Sequence, residues 1–433
     1  LADEGYDLTV IDSNQTLVES LVERYDLMAV QGNCASMDTL VQAGIRTADL
    51  LIAVTNEDEV NLLCCMTAHQ MNPELHTIAR IRNPEYSQQI YQMQDVFGLS
   101  LAVNPERQAA IEIERLLKYP GFLKREAFAK GRVELVELRI GEKSRLRNVR
   151  LADLSNIIKN KVLVCAVLRN GQSVIPDGSY ELQEKDRIFV TGTTHNLALM
   201  LKDLGVITHK VRRVMLCGGS RTAFYLASRL LKSGVAVDIV ERDLERCRQL
   251  AVKLPRANVI HGDASSQFIL ESEGIQSCDA VVAMTGMDEL NVIVALYARS
   301  RDIEQIITKL SHEENNNILD SLSLGSLVCP KELCSATIVR YVRAMKNQTG
   351  AALTVHSVAD GQVEASEFRV EPGTLYCGQP LKEIHLRHNV LIACIMHGAE
   401  IEIPNGDSYF QEGDTIIVIT NGRGITQLND IFE

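Results

Sequence analysis

Two carboxylates end runs of β-branched residues: Asp12 follows Thr9-Val10-Ile11, and Glu241 follows Asp238-Ile239-Val240. An acid at the end of the second strand of a nucleotide-binding βαβ fold accepts hydrogen bonds from adenosine ribose hydroxyls and disfavours a 2′-phosphate. Both residues therefore point to NAD or an adenine nucleotide rather than NADP. The competing reading makes each a solvated acid that caps the next helix. Upstream of Glu241, the segment Cys217-Gly218-Gly219-Ser220-Arg221-Thr222-Ala223 falls between a predicted strand and a predicted helix. There, unpaired backbone N–H groups and the helix dipole attract a pyrophosphate. On the G-x-G-x-x-G frame the segment reads Gly218, Ser220, Ala223, so only the first glycine is kept. Ser220 adds a side chain where a phosphate would approach, and a plain strand-to-helix turn is the alternative.

Further lining candidates follow from the same logic. Thr55-Asn56 and Thr285-Gly286 come directly after short apolar runs, at the carboxyl edge where open α/β sheets bind ligands. Asn33 and Asp263, each just after a glycine (Gly32, Gly262), stand where they would reach adenine or merely shape a turn. Arg80 and Lys309 occupy equivalent places and bring positive charge towards phosphate, or serve as ordinary surface cations. Machinery for turnover is missing: the sequence has no Tyr-x-x-x-Lys pair, no Gly-x-Ser-x-Gly elbow and no complete P-loop lysine motif. His195, His312 and His385 sit singly among polar residues and read as surface groups. Neither a catalytic residue nor a metal ligand is expected.

The elements that position these residues occur twice. Thr-Val-Ile-Asp ending at Asp12 matches Asp-Ile-Val-Glu ending at Glu241, and Val54-Thr55-Asn56-Glu57-Asp58-Glu59 matches Met284-Thr285-Gly286-Met287-Asp288-Glu289. Asn104-Pro105 answers to Cys329-Pro330, Leu138-Arg139-Ile140 to Phe368-Arg369-Val370, and Ile175-Pro176 to Ile403-Pro404. Five collinear matches define a tandem duplication with a period of roughly 230 residues. In the second copy, Val211 to Leu216 reads as a strand, Thr222 to Lys232 as a helix, Val235 to Glu241 as a strand, and Leu244 to Leu254 as a helix. Leu244, Cys247, Leu250 and Leu254 share one face of that last helix. This order is that of a Rossmann-like, doubly wound parallel sheet. Each copy then changes character: Val136, Leu138 and Ile140 alternate with charged residues, and Asn170-Gly171 reads as a hairpin turn. The second half of each copy is therefore a small α+β module; in copy two it has turn signals at Asn405-Gly406 and Glu412-Gly413-Asp414.

Four domains follow, at residues 1–118, 119–206, 211–345 and 350–433. Leu1 aligns with Leu230, late in the first helix of copy two. Copy one is thus expected to be incomplete at its N-terminus, lacking the first strand and phosphate loop. The 433 residues fit a prior of roughly 100–200 per domain. A hydrophobic content of 46% with 23% charged residues is that of an ordinary globular chain. The longest apolar runs, such as Val390 to Met396, fall far short of the ~20 residues a spanning helix needs, so no direct membrane insertion is expected. The net charge of −12 argues against nucleic acid as a partner. Eleven cysteines without a C-x-x-C pair suggest free, mostly buried thiols in a reducing cytoplasm.

The doubled order of domains, with Val54-Thr55-Asn56-Glu57-Asp58-Glu59-Val60-Asn61-Leu62 and Gly262-Asp263-Ala264-Ser265, resembles the TrkA family, whose members are tandem RCK (KTN) regulators of potassium uptake. The similarity runs along essentially the whole chain. It implies RCK N- and C-domains in alternation, NAD(H) or an adenine nucleotide (ATP or ADP) as ligand, and a homo-oligomeric ring, a tetramer. It also implies a place at the cytoplasmic face of a bacterial inner membrane, beneath a potassium-translocating subunit of the TrkH or TrkG type. Carried over, Asp12, Thr55, Asn56 and Arg80 serve the first site, and Gly218 to Thr222 with Glu241 the second. The alternatives are an NAD-dependent oxidoreductase, a regulator of glutathione-gated efflux, a calcium-gated channel tail read from Asp58-Glu59 and Asp288-Glu289, and a structural ring with vestigial sites.

Overall fold

The computed structural model describes residues 1–2, 5–118, 122–142, 144–205, 211–311, 322, 324–345, 352–422, 425 and 427–433. His312 and the expected boundaries at 119, 206 and 350 lie outside them. The chain divides into two compact units: residues 1–111, 220–226 and 330–339 form the first, and residues 112–219, 227–329 and 340–433 the second.

In the first unit, strands β1 (Thr9–Asp12) and β2 (Met28–Gln31) pair in parallel, as do β3 (Leu50–Ala53), β4 (His76–Arg80) and β5 (Leu101–Val103). Between them run α1 (Gln15–Arg24), α2 (Met37–Gln42), α3 (Asp58–Met71) and α4 (Pro84–Met93). Ile11, Cys34, Leu40, Cys64 and Ala68 share one apolar cluster, which ties the two strand sets together through α2 and α3. Helix α5 (Pro105–Lys118) follows β5.

The second unit contains the sheet of copy two and both small modules. Strands β11 (Arg213–Cys217), β12 (Ala236–Glu241), β13 (Asn258–His261), β14 (Ala280–Ala283), β15 (Gln305–Lys309) and β16 (Ser326–Val328) lie in the parallel order β13-β12-β11-β14-β15-β16. This is the doubly wound order expected. Here β11 joins the set that matches β1–β2 to the set that matches β3–β5; among the described residues copy one has no strand in that place. Val211 and Arg212 fall outside β11, and the Arg212 and Arg213 amides donate to the Asp279 carboxylate at 2.6 and 2.9 Å. Helices α7 (Arg221–Lys232), α8 (Leu244–Lys253), α9 (Gln267–Ser272) and α10 (Asp288–Ser300) connect the strands.

Each small module is a five-stranded antiparallel sheet. The first has the order β6-β7-β10-β8-β9, from β6 (Arg125–Phe128), β7 (Val133–Arg139), β8 (Leu163–Arg169), β9 (Gln172–Val174) and β10 (Arg187–Thr193), and helix α6 (Thr194–Asp203) follows β10. The second repeats it as β17-β18-β21-β19-β20, from β17 (Thr354–Val358), β18 (Val363–Arg369), β19 (Val390–His397), β20 (Glu400–Glu402) and β21 (Thr415–Thr420). Asn170 and Gly171, both at positive φ, make the β8–β9 hairpin turn. The alternation in β7 predicts a strand with one wet face, yet Glu137 on that face is buried, and Glu134 is buried on the opposite one. Both faces are covered: Val136, Leu138 and Ile140 face one core, while Val133 and Leu135 join Ala393, Cys394 and Ile417 of the second module in another. Arg125 and Arg187 pair with the two glutamates, as buried charges require.

Candidate functional site

Site one is built at the carboxyl ends of β1 to β4. Asp12 Oδ1 accepts the Asn14 amide at 2.8 Å, and the Asn14 side chain in turn caps α1 through the Leu17 amide. The acid is therefore not itself the helix cap. Copy two repeats the arrangement: Glu241 Oε1 accepts the Asp243 amide at 2.8 Å, and Asp243 Oδ1 caps α8 at Arg246. Asn33 and Asp263 each accept an amide two residues on, from Ala35 at 3.0 Å and Ser265 at 2.8 Å, so both form the turn that sequence allowed them. The Ser265 amide, then its hydroxyl, hold the Asp263 carboxyl below its usual range.

Thr55 and Thr285 turn inward. Asn61 Oδ1 accepts the Thr55 amide at 2.7 Å and hydroxyl at 2.8 Å, while Asn61 Nδ2 donates to the Thr55 and Arg80 carbonyls. Asn291 does the same for Thr285 and the Lys309 carbonyl. Both asparagines are fully buried. They staple the turn after one strand to the end of the next, and so fix the rim on which a ligand would rest.

At the end of β4 in copy one, Arg80 Nη2 donates to the Thr55 carbonyl at 2.8 Å and reaches Asn56 Oδ1 at 3.3 Å. Arg82 adds a second guanidinium, bonded to the Asn56 carbonyl and 3.6 Å from Asp58. Burial, then the nearby Arg82 charge, press the Arg80 pKa down. Asp58 Oδ2 accepts the Arg82 and Asn83 amides, at 2.8 and 2.7 Å. The matching Asp288 accepts the Ser311 amide at 2.8 Å, and Ser311 stands where Arg82 does. Lys309 Nζ lies 3.5 Å from the Met284 carbonyl, while Gly286 is exposed. Copy one thus sets Arg80 and Arg82 at this edge, where copy two, among the described residues, has Lys309 and Ser311.

The glycine loop of copy two is closed on its own acid. Glu241 Oε2 accepts the Gly219 amide at 2.6 Å, and Arg246 Nε donates to the Gly219 carbonyl at 2.7 Å. Gly218 has φ +114°, and a Cβ there would stand 2.9 Å from the Met284 carbonyl oxygen and Thr285 backbone, so only glycine fits. The two glycines belong to the second unit, whereas Ser220, Arg221 and Thr222 belong to the first. Ser220 Oγ accepts the Ala223 amide at 3.4 Å, Arg221 opens α7 and is exposed, and Thr222 is buried.

Asp12, Asn33, Thr55, Asn56 and Arg80 therefore lie at the carboxyl ends of the two strand sets of the first unit, whereas Gly218, Gly219, Glu241, Asp263, Thr285, Gly286 and Lys309 come to one edge of the six-stranded sheet in the second. The sequence assigns no role to Asn61, Asn291 or Arg82, and marks Asp58 only as half of an acidic pair. A buried asparagine carries no periodicity signal, but its recurrence six residues after each threonine does. His195 and His385 are exposed.

The TrkA-N domain model matches residues 1–105 and 214–330, and the TrkA-C domain model residues 135–205 and 365–433. The chain is 28% identical over 445 residues to the Trk system potassium uptake protein TrkA of Haemophilus influenzae, covering all of this chain and 95% of that one. It is 29% identical over 430 residues to the TrkA homolog of Archaeoglobus fulgidus, covering 99% and 95%. Among solved structures, the GsuK RCK domain superposes with a TM-score of 0.61 at 17% identity, over 98% of this chain and 89% of that one. The GsuK channel bound to NAD gives 0.59 at 18%, over 97% and 73%. These structures share the fold. From the matches to both domain models, each found twice and in alternation, the chain belongs to the family of TrkA-N and TrkA-C domain proteins.

Proposed function

We propose that this chain is the nucleotide-sensing regulatory subunit of a potassium uptake system. It binds NAD(H), ATP or ADP in its Rossmann-like domains and controls a potassium-translocating membrane subunit of the TrkH or TrkG type. The observation that supports the reading is site one: Asp12 at the carboxyl end of β1, and Arg80 and Arg82 at and just past the carboxyl end of β4. The names of its full-length relatives supply the transported ion. No helix among the described residues is long and apolar enough to cross a membrane, which fits a peripheral place at the cytoplasmic face and action through a protein partner. A homo-oligomeric ring, a tetramer, is the assembly in which the subunit acts. A nucleotide then acts by its differential affinity for two ring conformations, and no chemical step is needed.

The test is thermal unfolding of the chain with NAD, NADH, ATP and ADP. A ligand at a hundredfold its dissociation constant adds about 2.7 kcal/mol to the domain that holds it. Asp12→Ala is expected to abolish the larger shift. No shift with any of the four sinks nucleotide sensing. A second reading is specific to copy two: because Glu241 already holds the Gly219 amide, that site is vestigial and its loop structural. Under this reading Glu241→Ala leaves every ligand shift unchanged.

A further inference from the structure

Site one contains a pair of thiols that the nucleotide reading does not use. Cys34 follows Asn33 in the turn after β2 and is partly exposed. Cys64, on α3, is buried. The Cys64 thiol donates to the Cys34 carbonyl oxygen at 3.1 Å, and both side chains pack in one apolar cluster. The duplication provides a control. Cys34 aligns with Ala264 and Cys64 with Val294, and those two share an apolar cluster in copy two just as the cysteines do in copy one. The fold at this contact therefore needs only two small apolar groups, and copy one has sulfur in both places.

The adjacent Cys64 side chain brings the Cys34 thiol down to about 7, against burial and the Asp12 charge, which oppose it. Cys64 moves the other way, through its interaction with Cys34 and then burial. Its neighbour Cys65 points to the Ile78 carbonyl at 3.8 Å, and burial pushes it up to about 12. The exposed Cys377 is also raised, by burial and then by Glu412 and Asp414. One thiol is thus accessible and acidic, with a second in contact to resolve it, which is the arrangement of an oxidisable dithiol.

We propose that Cys34 and Cys64 form a dithiol that a hydroperoxide converts to a disulfide, and that this cross-link locks the Asn33–Cys34 turn onto α3 and weakens nucleotide binding at site one. The Cys34 thiolate attacks a peroxide oxygen, the O–O bond breaks, and the leaving oxygen takes a proton to depart as water or an alcohol. The Cys64 sulfur then attacks the Cys34 sulfenic acid. An S–S bond forms, the S–O bond breaks, and hydroxide leaves with the Cys64 proton as water. Two thiols are oxidised and one peroxide reduced.

The test treats the full chain with hydrogen peroxide at pH 7 and maps disulfides by mass spectrometry without reduction. A Cys34–Cys64 cross-linked peptide is expected before any change at Cys377, reversed by dithiothreitol and lost in Cys34→Ala and Cys64→Val, the residues copy two tolerates. No cross-link, or prior oxidation of Cys377, overturns the dithiol. The effect on affinity rests on the nucleotide reading and is measured separately: oxidation is expected to weaken adenine-nucleotide binding at least tenfold in the parent chain and not in the double variant. An unchanged affinity overturns that half. A reduced chain that binds no nucleotide, yet still cross-links, overturns the proposed function and leaves the dithiol standing.

Discussion

The two copies use the same scaffold to hold different chemistry. Asn61 and Asn291 make matching hydrogen bonds to Thr55 and Thr285, and Asp12 and Glu241 each orient the amide two residues ahead. Around that shared frame the side chains diverge. Copy one sets Arg80 and Arg82 at the strand edge, and its Asp12 holds the Asn14 amide; copy two has Lys309 and Ser311 there, and its acid also holds the Gly219 amide. Duplication keeps the hydrogen bonds that shape a rim and lets the charges that would meet a ligand drift apart.

Breaking the shared frame should hurt both copies alike. Asn61→Leu and Asn291→Leu each strand a threonine amide and a strand-end carbonyl in a buried place, at a cost of about 3 kcal/mol. Hydrogen exchange at residues 50–81 and 280–309 separates the copies, and a loss of protection near 100-fold is expected around each substituted site. Protection lost in only one copy would mean that the frame is not shared energetically.

The glycine loop sharpens the comparison from the side of copy two. Gly218→Ala forces a Cβ against the Met284 and Thr285 backbone at positive φ and should cost on the order of 2–3 kcal/mol, read as faster exchange in β11 and β14 with copy one untouched.

The smallest effect belongs to the segment after copy one's sheet. Burial, then the Glu126 charge, lift the Glu112 carboxyl from its ordinary 4.5 to about 7, with Arg115 and Arg125 opposing. The folded chain holds that proton to about pH 7, while the unfolded chain has lost it above pH 4.5. The stability this contributes is full below pH 4.5 and is lost as pH rises to 7. The matching residue in copy two is Thr337, so Glu112→Thr should flatten that part of the urea-denaturation profile. A profile unchanged by the substitution would place the titration elsewhere.

The parallel sheet was legible because β-branched runs ending at Asp12 and Glu241 recur with the same spacing, and the recurrence fixes strand order as well as identity. The rim was less so. Thr55 and Thr285 read as ligand-facing, yet their hydroxyls turn to Asn61 and Asn291, since a buried amide that meets four backbone or hydroxyl groups looks in sequence like any helical polar residue. Likewise Glu137 of β7 reads as solvent-facing, because a strand's alternation cannot report what covers its second face.

That covering has a thermodynamic consequence. The two small modules share one core through β7, β8, β19 and β21, and polar bonds stitch it: His356 to Glu126 at 2.7 Å, Arg187 to Asp360 at 3.0 Å, and the Ala129 amide to Glu367 at 3.1 Å. Were the modules on separate chains, such a pairing would dissociate on dilution. Tethering makes it unimolecular, so its occupancy is independent of protein concentration and escapes mass action.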